Sequence, residues 1–467
     1  MRHRLFEARL PGWIDPAHVF AILFAAEQHS VWLDSSDGRG TSYLGRGSRM
    51  MTSSVTDGTV TVDGVTTPGT IFEALRAEVS EHSVDTGDGF RLGWVGWLGY
   101  GLRAQTIGET ATWPSGQRRS GHRRSGQRPG EDPLGQNPDA ALLFLDGVLA
   151  FDHGTHMMRA LALDAATLAE LVDSVSDVRP FPQARPSLER PAVTWADTDD
   201  EYLAMIAECQ AAIMEGEAYQ LCLTTEVRVD IHPDPFLTYL ALRESSPSHH
   251  GSYFRIGDVV VLSASPEQFL AISPDGTIES KPIKGTRPRG ATPLTDDALA
   301  KELLESEKER AENLMIVDLM RNDIGRVSEI GSVTVPRLLA VETYAHVHQL
   351  VSTVRGRLAA GLTGVDAVRA CFPAGSMTGA PKHSAVTILD RLEHRARGVY
   401  AGAFGYFGLD GRIELSMVIR SILLDADGAS IGTGGGITAL SVPAEELAEV
   451  KLKSAALLAV LGVDPSA

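Results

Sequence analysis

The sequence predicts an α+β protein whose strands form antiparallel sheets, and three observations support this class. Strand-like segments follow one another over short connections, which favours antiparallel pairing. Longer helical segments separate groups of strands, whereas a parallel sheet would alternate helix and strand. The chain has 467 residues, 43% of them hydrophobic, so it can bury a large core.

The N-terminal part begins with one helix and continues with strands. The apolar run at residues 19–26 is followed by Glu27, so it predicts an amphipathic helix and not a cleaved signal peptide. Residues 141–153 (ALLFLDGVLAFDH) predict a strand hairpin that turns at Asp146-Gly147. Apolar alternation or clustering predicts further strands at residues 31–36, 60–65 and 93–101.

From residue 195 onward, helical and strand patterns mix. Helices are predicted at 197–215, 299–320, 385–395 and 444–461. Strands are predicted at 224–229, 251–254, 259–264, 269–272 and 344–354, and 399–409 with 413–424 as a strand pair.

Two segments have little to bury. Residues 114–137 carry the tandem SGQRR, SGHRR and SGQRP, which predicts a mobile loop. Contact of its arginines with RNA or a phosphate-rich partner is the less favoured alternative. The proline-rich residues 178–190 predict a linker. The expected units are therefore an N-terminal domain at 1–180 and a second domain at 194–463.

Charge and cysteine content exclude several classes of protein. The net charge of −18 argues against nucleic acid or an anionic membrane as partner, because both reward clustered cations. No apolar run reaches the roughly 20 residues that a membrane helix needs. Cys209, Cys222 and Cys371 lie far apart, which indicates neither disulfides nor a zinc site and favours the cytoplasm.

Acidic pairs and glycine-rich segments each allow two interpretations. Glu309 and Glu312, like Glu446 and Glu449, stand three residues apart, so each pair shares a helical face. They either hold a hard cation such as Mg²⁺ or form solvated surfaces. Residues 372–382 and 432–438 complete neither a P-loop nor a dinucleotide fingerprint, and their amides either bind an anion or form ordinary turns.

A basic turn and a histidine pair are equally open. Residues 281–290 (KPIKGTRPRG) place Lys284 in a rigid turn, as a nucleophile or as an exposed loop lysine. His346 and His348 alternate along a predicted strand and face one side, and structural histidines are the default interpretation.

These features belong to an ordered set of motifs: SPEQF (265–269), KPIKGTRPRG, RAENLMIVDLMRNDIGRV (310–327), HVHQLVSTV (346–354), FPAGSMTGAPK (372–382), GGGIT (434–438) and the final acidic helix. In combination they resemble one family, the chorismate-utilising enzymes, which includes anthranilate, aminodeoxychorismate, isochorismate and salicylate synthases. The resemblance covers residue 194 to the C-terminus, and residues 1–180 resemble the family's N-terminal domain less distinctively. It implies large, mostly antiparallel sheets packed in a sandwich with helices outside, as in the anthranilate synthase component I-like fold.

Two positions discriminate within the family. Gln220 stands where the isochorismate and salicylate synthases carry a water-activating lysine, so an ammonia-using member is favoured. Lys284 stands where anthranilate synthases typically have alanine, which is the mark of the aminodeoxychorismate synthase component I branch. The expected activity is amination of chorismate at carbon 4. Anthranilate synthesis is the alternative, and a non-catalytic homologue is a more distant one.

The resemblance also implies site residues, the metal and a partner. Glu312 and Glu449 would bind Mg²⁺, with Glu309 and Glu446 beside them. Lys284 would attack the ring, Glu267 would transfer protons, and His348 would orient the ring. Ammonia would come from a separate glutaminase subunit, because no cysteine sits in a Gly-x-Cys-x-Gly setting, and the absence of a lyase domain makes aminodeoxychorismate the expected product. The residues implied to contact substrate are Gln220, Gly285, Thr286, Tyr400, Arg420, Gly434, Gly435, Gly436 and Lys453.

Overall fold

The computed structural model describes most of the chain. The described residues are 2–47, 49–108, 137–176, 178, 191–344 and 347–464.

The strands up to residue 229 are β1 (Phe6–Leu10), β2 (His29–Asp34), β3 (Thr41–Arg46), β4 (Arg49–Ser54), β5 (Thr59–Val62), β6 (Val65–Pro68), β7 (Gly93–Leu98), β8 (Ala140–Leu145), β9 (Gly147–Asp152), β10 (Met157–Ala162), β11 (Val193–Trp195) and β12 (Gln220–Val229). The later strands are β13 (His250–Ile256), β14 (Val259–Ser265), β15 (Gln268–Ile272), β16 (Thr277–Ser280), β17 (Ile283–Pro288), β18 (Thr334–Thr343), β19 (Val347–Arg357), β20 (Gly379–Ala380), β21 (Ala403–Gly408), β22 (Ile413–Met417), β23 (Ser421–Asp425) and β24 (Gly428–Ile437).

These strands form two 12-stranded sheets, and every pairing between them is antiparallel in the described ranges. The first sheet has the order β1-β10-β9-β3-β2-β13-β14-β23-β24-β12-β11, with β20 beside β12. The second has the order β17-β19-β16-β15-β22-β21-β7-β8-β4-β5-β6, with β18 beside β19.

The two sheets pack face to face through large side chains. Between them Phe254 of β13 meets Trp97 of β7 and Phe404 of β21, with ring centroids 6.5 and 5.7 Å apart. Such aromatic packing excludes water from the interface and is a major contribution to stability. The sheets therefore form a sandwich.

Helices cover the outer faces. Helices α2, α7 and α8 lie on the second sheet, α1, α3, α5 and α10 on the first, and α4 and α9 on β12 and β24. No helix in the described ranges is long and apolar enough to cross a membrane. The helices are α1 (Pro16–Leu23), α2 (Ile71–Glu81), α3 (Ala165–Ser176), α4 (Asp199–Met214), α5 (Pro235–Ser245), α6 (Pro293–Glu305), α7 (Glu307–Gly325), α8 (Gly364–Cys371), α9 (Lys382–Glu393) and α10 (Pro443–Val460).

The predicted α+β class with antiparallel sheets and outer helices is confirmed, as are most elements. The first helix, α4, α9 and α10 lie within a few residues of their predicted ranges. Helix α4 begins at Asp199, two residues after the predicted start, and Thr198 and Glu201 form a capping box there. The single strand predicted at 60–65 is wrong: β5 ends at Val62, residues 63–64 form a turn, and Val65 begins β6, which pairs with β5.

The predicted hairpin at 141–153 is wrong. Strand β8 pairs with β4 and β7 in the second sheet, whereas β9 pairs with β3 and β10 in the first. The chain crosses between the sheets at Asp146. Both strands are apolar on both faces, so each is buried by neighbouring strands of its own sheet and by the facing sheet. The Asp-Gly turn signal therefore does not decide which strands pair.

The single helix predicted at 299–320 is two helices. Ser306 ends α6 and begins α7, and its side chain accepts a hydrogen bond from the Glu309 amide. Serine competes for backbone donors near its own position, so a break with a cap replaces a continuous helix.

The second member of the strand pair predicted at 413–424 is also divided. Strand β22 pairs with β15 and β21 in the second sheet, and β23 pairs with β14 and β24 in the first. Between them Arg420 has φ +52°, a left-handed conformation that turns the chain from one sheet to the other.

The predicted N-terminal domain (1–180) and the predicted second domain (194–463) each contribute strands to both sheets. The boundary between them therefore stays a prediction. The predicted loop at 114–137 lies outside the described residues except for Asn137. The predicted linker at 178–190 lies outside them except for Val178.

Candidate active site

Two neighbouring corners, where the chain crosses between the sheets, carry two of the predicted site residues. Glu267 lies between β14 and β15, and Arg420 lies between β22 and β23. The corners are hydrogen-bonded to each other: the Met417 amide donates to the Glu267 carbonyl at 3.0 Å, and the Ala264 amide donates to the Arg420 carbonyl at 3.1 Å. The topology therefore brings together residues that are 153 positions apart in the chain.

Lys284 is directed by a bulge in β17. The register between β17 and β19 shifts between Ile283 and Thr286, and Gly285 has φ +78°. A Cβ atom at Gly285 would lie 2.9 Å from the Glu309 carboxylate, so only glycine fits here without displacement. The bulge presents Lys284 toward α7, where its Nζ lies 3.8 Å from Glu312 Oε2.

The glycines of β24 form an open edge next to Lys284. Strand β23 pairs with β24 only from Gly428 to Ser430, so that edge continues beyond Ser430 without a neighbouring strand in the described structure. A Cβ atom at Gly436 would lie 2.1 Å from Gln220 Nε2 and 3.5 Å from Lys284 Nζ. The predicted substrate residues Gln220 and Gly436 thus lie beside the predicted nucleophile.

Gln220 is a buried amide with unused hydrogen-bonding capacity. Its exposed fraction is 1%, and its Oε1 has no hydrogen-bond partner in the described residues. A buried acceptor without a donor is costly, so such an atom near Lys284 is suited to an incoming N–H or O–H group.

Arg420 offers an unpaired guanidinium near these residues, because Glu449 lies close both to Arg420 and to Lys284. We call the region that Lys284, Gln220, Glu449 and Arg420 border the cleft. Among the described residues it has no hydrogen bond from its side chain and no ion pair, although it is solvent-accessible. Surrounding protein lowers the pKa of Arg420 through desolvation, while nearby Tyr400 and Glu449 act in the opposite direction. The Tyr400 ring packs against Gly432, where a Cβ atom would lie 2.1 Å from the ring. An unpaired arginine here suits a substrate carboxylate.

Glu267 has the electrostatics of a proton-transfer group. Burial raises its pKa to about 7, against the opposing charge of Lys284 and a hydrogen bond from Ser376. A carboxyl group that titrates near neutral pH can both donate and accept a proton under working conditions.

The four predicted metal ligands lie on two helices and each faces a cation. Glu309 and Glu312 belong to α7, and Glu446 and Glu449 belong to α10. Burial raises the pKa of Glu312, Lys284 opposes this, and the charges of Glu309 and Glu446 reinforce it. The nearest pairs are Glu309–Arg287 at 3.5 Å, Glu312–Lys284 at 3.8 Å, Glu446–Lys308 at 3.4 Å and Glu449–Lys453 at 2.7 Å.

Within the described ranges no three His, Cys, Asp or Glu side chains converge closely enough to enclose a metal on their own. Mg²⁺ does not require such an enclosure, because it usually keeps several waters and binds one or two carboxylates together with substrate oxygens. The glutamates of α7 and α10 supply oxygen ligands. Their negative charges repel one another, and a divalent cation bound between them would relieve this repulsion. The residues present therefore fit Mg²⁺.

The structure places His348 and Thr286 differently from the other predicted residues. His348 is 2% exposed, and its ring nitrogens are hydrogen-bonded to Thr343 at 2.9 Å and to Asp296 at 2.8 Å. Asp296 is also bound by Arg289, so His348 belongs to a network that holds α6 against β19. Thr286 pairs with Gln349 and is exposed. Their roles toward a substrate stay predictions.

Three residues that support the site were not singled out from the sequence. Ser376 bonds Glu267, and Ser441 donates to Glu446 Oε1 at 2.8 Å. Buried Asn313 donates to the carbonyls of Pro282 and Leu350. These bonds join α7 to β19 and to the residue that precedes β17, the strand that carries Lys284. Ser376 and Asn313 lie within recognised motifs, but only the fold shows what they contact.

Comparison with known proteins identifies the family. The family model described as chorismate binding enzyme matches residues 28–459, so the chain belongs to this family. It is 42% identical to aminodeoxychorismate synthase of Streptomyces griseus over 98% of this chain, and 42% identical to that of Streptomyces pristinaespiralis over 96%. The chain spans 64% of the length of each of these curated relatives.

A solved structure shares the fold. The crystal structure of anthranilate synthase component I from Streptococcus pneumoniae TIGR4 matches with a TM-score of 0.75 and 28% sequence identity. The match covers 90% of this chain and 92% of that one. The predicted anthranilate synthase component I-like sandwich is thereby confirmed, as is the predicted family.

Proposed function

We propose that the chain catalyses the Mg²⁺-dependent amination of chorismate at carbon 4 with ammonia, giving 4-amino-4-deoxychorismate. This is a transfer of nitrogen to a substrate that serves p-aminobenzoate and folate synthesis. The single observation that carries the proposal is the position of Lys284. Its amine lies in the cleft beside Gln220, the glycine edge of β24 and Glu312. The names of the two relatives with 42% identity support the same reaction.

The side chains that line the cleft divide the work as follows. Arg420, Tyr400 and the Gly434–436 backbone hold the substrate carboxylates, with Lys453 fixing the Gly434 carbonyl at 2.9 Å. The lone pair of the Lys284 amine forms a bond to ring carbon 2, the two ring double bonds shift, and the bond between carbon 4 and oxygen breaks as Glu267 gives a proton to the 4-hydroxyl, which leaves as water. Ammonia then bonds to carbon 4, the double bonds shift back, and the bond between carbon 2 and the lysine nitrogen breaks. The Glu267 carboxylate takes up the proton that the new ammonium group releases. Mg²⁺ at Glu312 and Glu449, with Glu309 and Glu446 beside them, would draw electron density toward the ring carboxylate.

The three cysteines of this chain are not suited to releasing ammonia from glutamine. All three cysteines are free and buried, and burial raises the pKa of Cys209 and Cys371 to about 12. A thiol of this kind is inert as a nucleophile. We therefore propose that a glutamine amidotransferase subunit supplies ammonia, and that the protein works in the cytoplasm, where free thiols persist.

Anthranilate formation is the second candidate, because the chain shares its fold with an anthranilate synthase component I. The test is to mix the purified chain with chorismate, Mg²⁺ and ammonium and to identify the product by liquid chromatography and mass spectrometry. We expect 4-amino-4-deoxychorismate, which keeps the enolpyruvyl group, so no pyruvate is released. Anthranilate together with pyruvate would establish the alternative.

A further inference from the structure

Each of the four glutamates proposed as metal ligands is paired with a cation, and three of these cations are held elsewhere or used otherwise. Arg287 donates to both Glu302 oxygens, at 2.6 and 2.9 Å. Lys453 donates to the Gly434 carbonyl. Lys284 is the reactive amine of the proposed function. None of these three cationic side chains is free to move away from the glutamate with which it pairs.

Lys308 is different. Its side chain is 46% exposed, and within the described residues its Nζ makes one hydrogen bond and ion pair, to Glu446 Oε1 at 3.4 Å. Its charge is also felt by Glu312 and Glu449, so the ammonium lies among carboxylates from both helices. Lys308 lies in the first turn of α7, and about half of its side chain is open to solvent.

The carboxylate that Lys308 contacts does not depend on it for its orientation. Ser441 Oγ donates to the same Glu446 oxygen at 2.8 Å, and Glu446 is 4% exposed. Departure of the lysine would therefore leave Glu446 in place with an unbalanced negative charge. A buried carboxylate without a counter-charge is unfavourable, and a metal cation can supply that charge.

We infer that Lys308 is an internal counter-ion that balances the carboxylates of α7 and α10 in the metal-free protein and is displaced when Mg²⁺ binds. It thereby lowers the affinity for Mg²⁺. The inference rests on the proposed function for the location of the metal. Removal of the lysine charge then favours the metal-bound state, because Mg²⁺ no longer competes with an ammonium for the same oxygens.

The test is isothermal titration of magnesium chloride into the full chain at low ionic strength. We expect Lys308→Met to lower the Kd for Mg²⁺ about two- to fivefold, the size of a partly exposed ion pair, and the gain should shrink in high salt. Lys308→Arg keeps the charge and should retain a wild-type Kd. Lys301→Met is the matched control, because Lys301 is an exposed lysine on α6 that pairs with Glu305.

A second measurement separates displacement from a general charge effect. Lys308→Met should melt at a lower temperature than wild type without metal, and Mg²⁺ should raise its melting temperature more than it raises that of wild type. If Lys308→Met and Lys301→Met have equal Kd values, or if Lys308→Met binds Mg²⁺ more weakly than wild type, the inference is wrong while the metal site stands. If neither wild type nor Lys308→Met binds Mg²⁺, the proposed metal site fails as well.

Discussion

At the scale of single residues, the positions of a few side chains determine what the cleft can do. Lys284 is aimed by the bulge at Gly285, Glu267 is shielded at a corner between sheets, and Gln220 keeps an unused acceptor. Each of these properties depends on neighbours that are distant in sequence. Substitutions at these positions therefore test the proposed chemistry directly.

The first prediction concerns Lys284. Lys284→Ala should lower turnover by about a hundredfold or more and still bind chorismate, because the groups proposed to hold the carboxylates lie on other elements. Wild type quenched with chorismate in the absence of ammonia should show an added mass on the peptide that contains Lys284. Lys284→Arg is the control that keeps the charge. Near-normal turnover of that variant without an adduct would mean that Lys284 supplies only charge.

The second prediction concerns the stability of the protein as a function of pH. Burial raises the pKa of Glu267 from an ordinary 4.5 to about 7. Between these values the unfolded chain releases a proton that the folded chain keeps, so the free energy of unfolding falls as the pH rises. We expect wild type to lose about 1–3 kcal/mol across this range relative to Glu267→Gln. Urea unfolding at several pH values measures this, with the exposed Glu305→Gln as control, and parallel curves would contradict it.

At the scale of elements, helices α7 and α10 matter most for the proposed function, because they carry the four glutamates proposed to bind Mg²⁺. Helix α7 is joined through Asn313 to the residue that precedes β17, and the Lys308–Glu446 pair links it to α10. A helix holds residues three positions apart on one face, so the local spacing is fixed by the sequence. The distance between the two faces is fixed by packing.

We expect Glu312→Gln to abolish turnover without unfolding the protein, because it removes charge from the proposed metal site and keeps the shape of the side chain. The measurements are steady-state kinetics and the melting temperature. Glu305→Gln, an exposed glutamate of α6, should remain active. Full activity of wild type in excess EDTA would rule out the magnesium role.

The break between α6 and α7 gives another prediction. Ser306→Ala should lower the free energy of unfolding by about 0.5–2 kcal/mol, because it removes the side-chain acceptor that caps α7. Ser306→Asp should restore most of this loss, since aspartate caps equally well. Chemical denaturation compares the three proteins. Equal stability of Ser306→Ala and wild type would show that the cap does not stabilise the break.

At the scale of the whole molecule, the sandwich positions Glu267 and Arg420 at corners where the chain crosses from one sheet to the other. Both sheets contain strands from the N-terminal and C-terminal parts of the chain, and the cysteines are distributed through the buried interior. In the proposed function, the sandwich serves substrate binding and amination, and a separate subunit supplies ammonia.

The whole-molecule prediction follows from that division. The purified chain should use ammonium, increasingly as the pH rises and free ammonia becomes available, and should not use glutamine. Addition of a glutamine amidotransferase subunit should confer glutamine-dependent activity, and a version of that subunit without its nucleophile is the control. Glutamine consumption by this chain alone would reveal a nitrogen-releasing site that the proposed function lacks.

Local patterns in the sequence determined the fold class, most of the helices and strands, and the family of this protein. Periodicity predicted the α+β class and most elements, because the residues that form one face of a helix or strand are close in sequence. The ordered motifs identified the family, which the match over residues 28–459 confirms. The spacing of Glu309 and Glu312 indicated a shared face.

Only the tertiary structure decided how these parts meet. The segment at 141–153 has the pattern of a hairpin, but its strands join different sheets, because strands buried on both faces pair according to distant neighbours. The same is true at Arg420, where a predicted strand divides at a corner. The sequence likewise did not show that each glutamate proposed as a metal ligand faces its own cation, with Lys308 opposite Glu446. Ion pairs between separate elements depend on distances that packing sets, and local periodicity does not encode those distances.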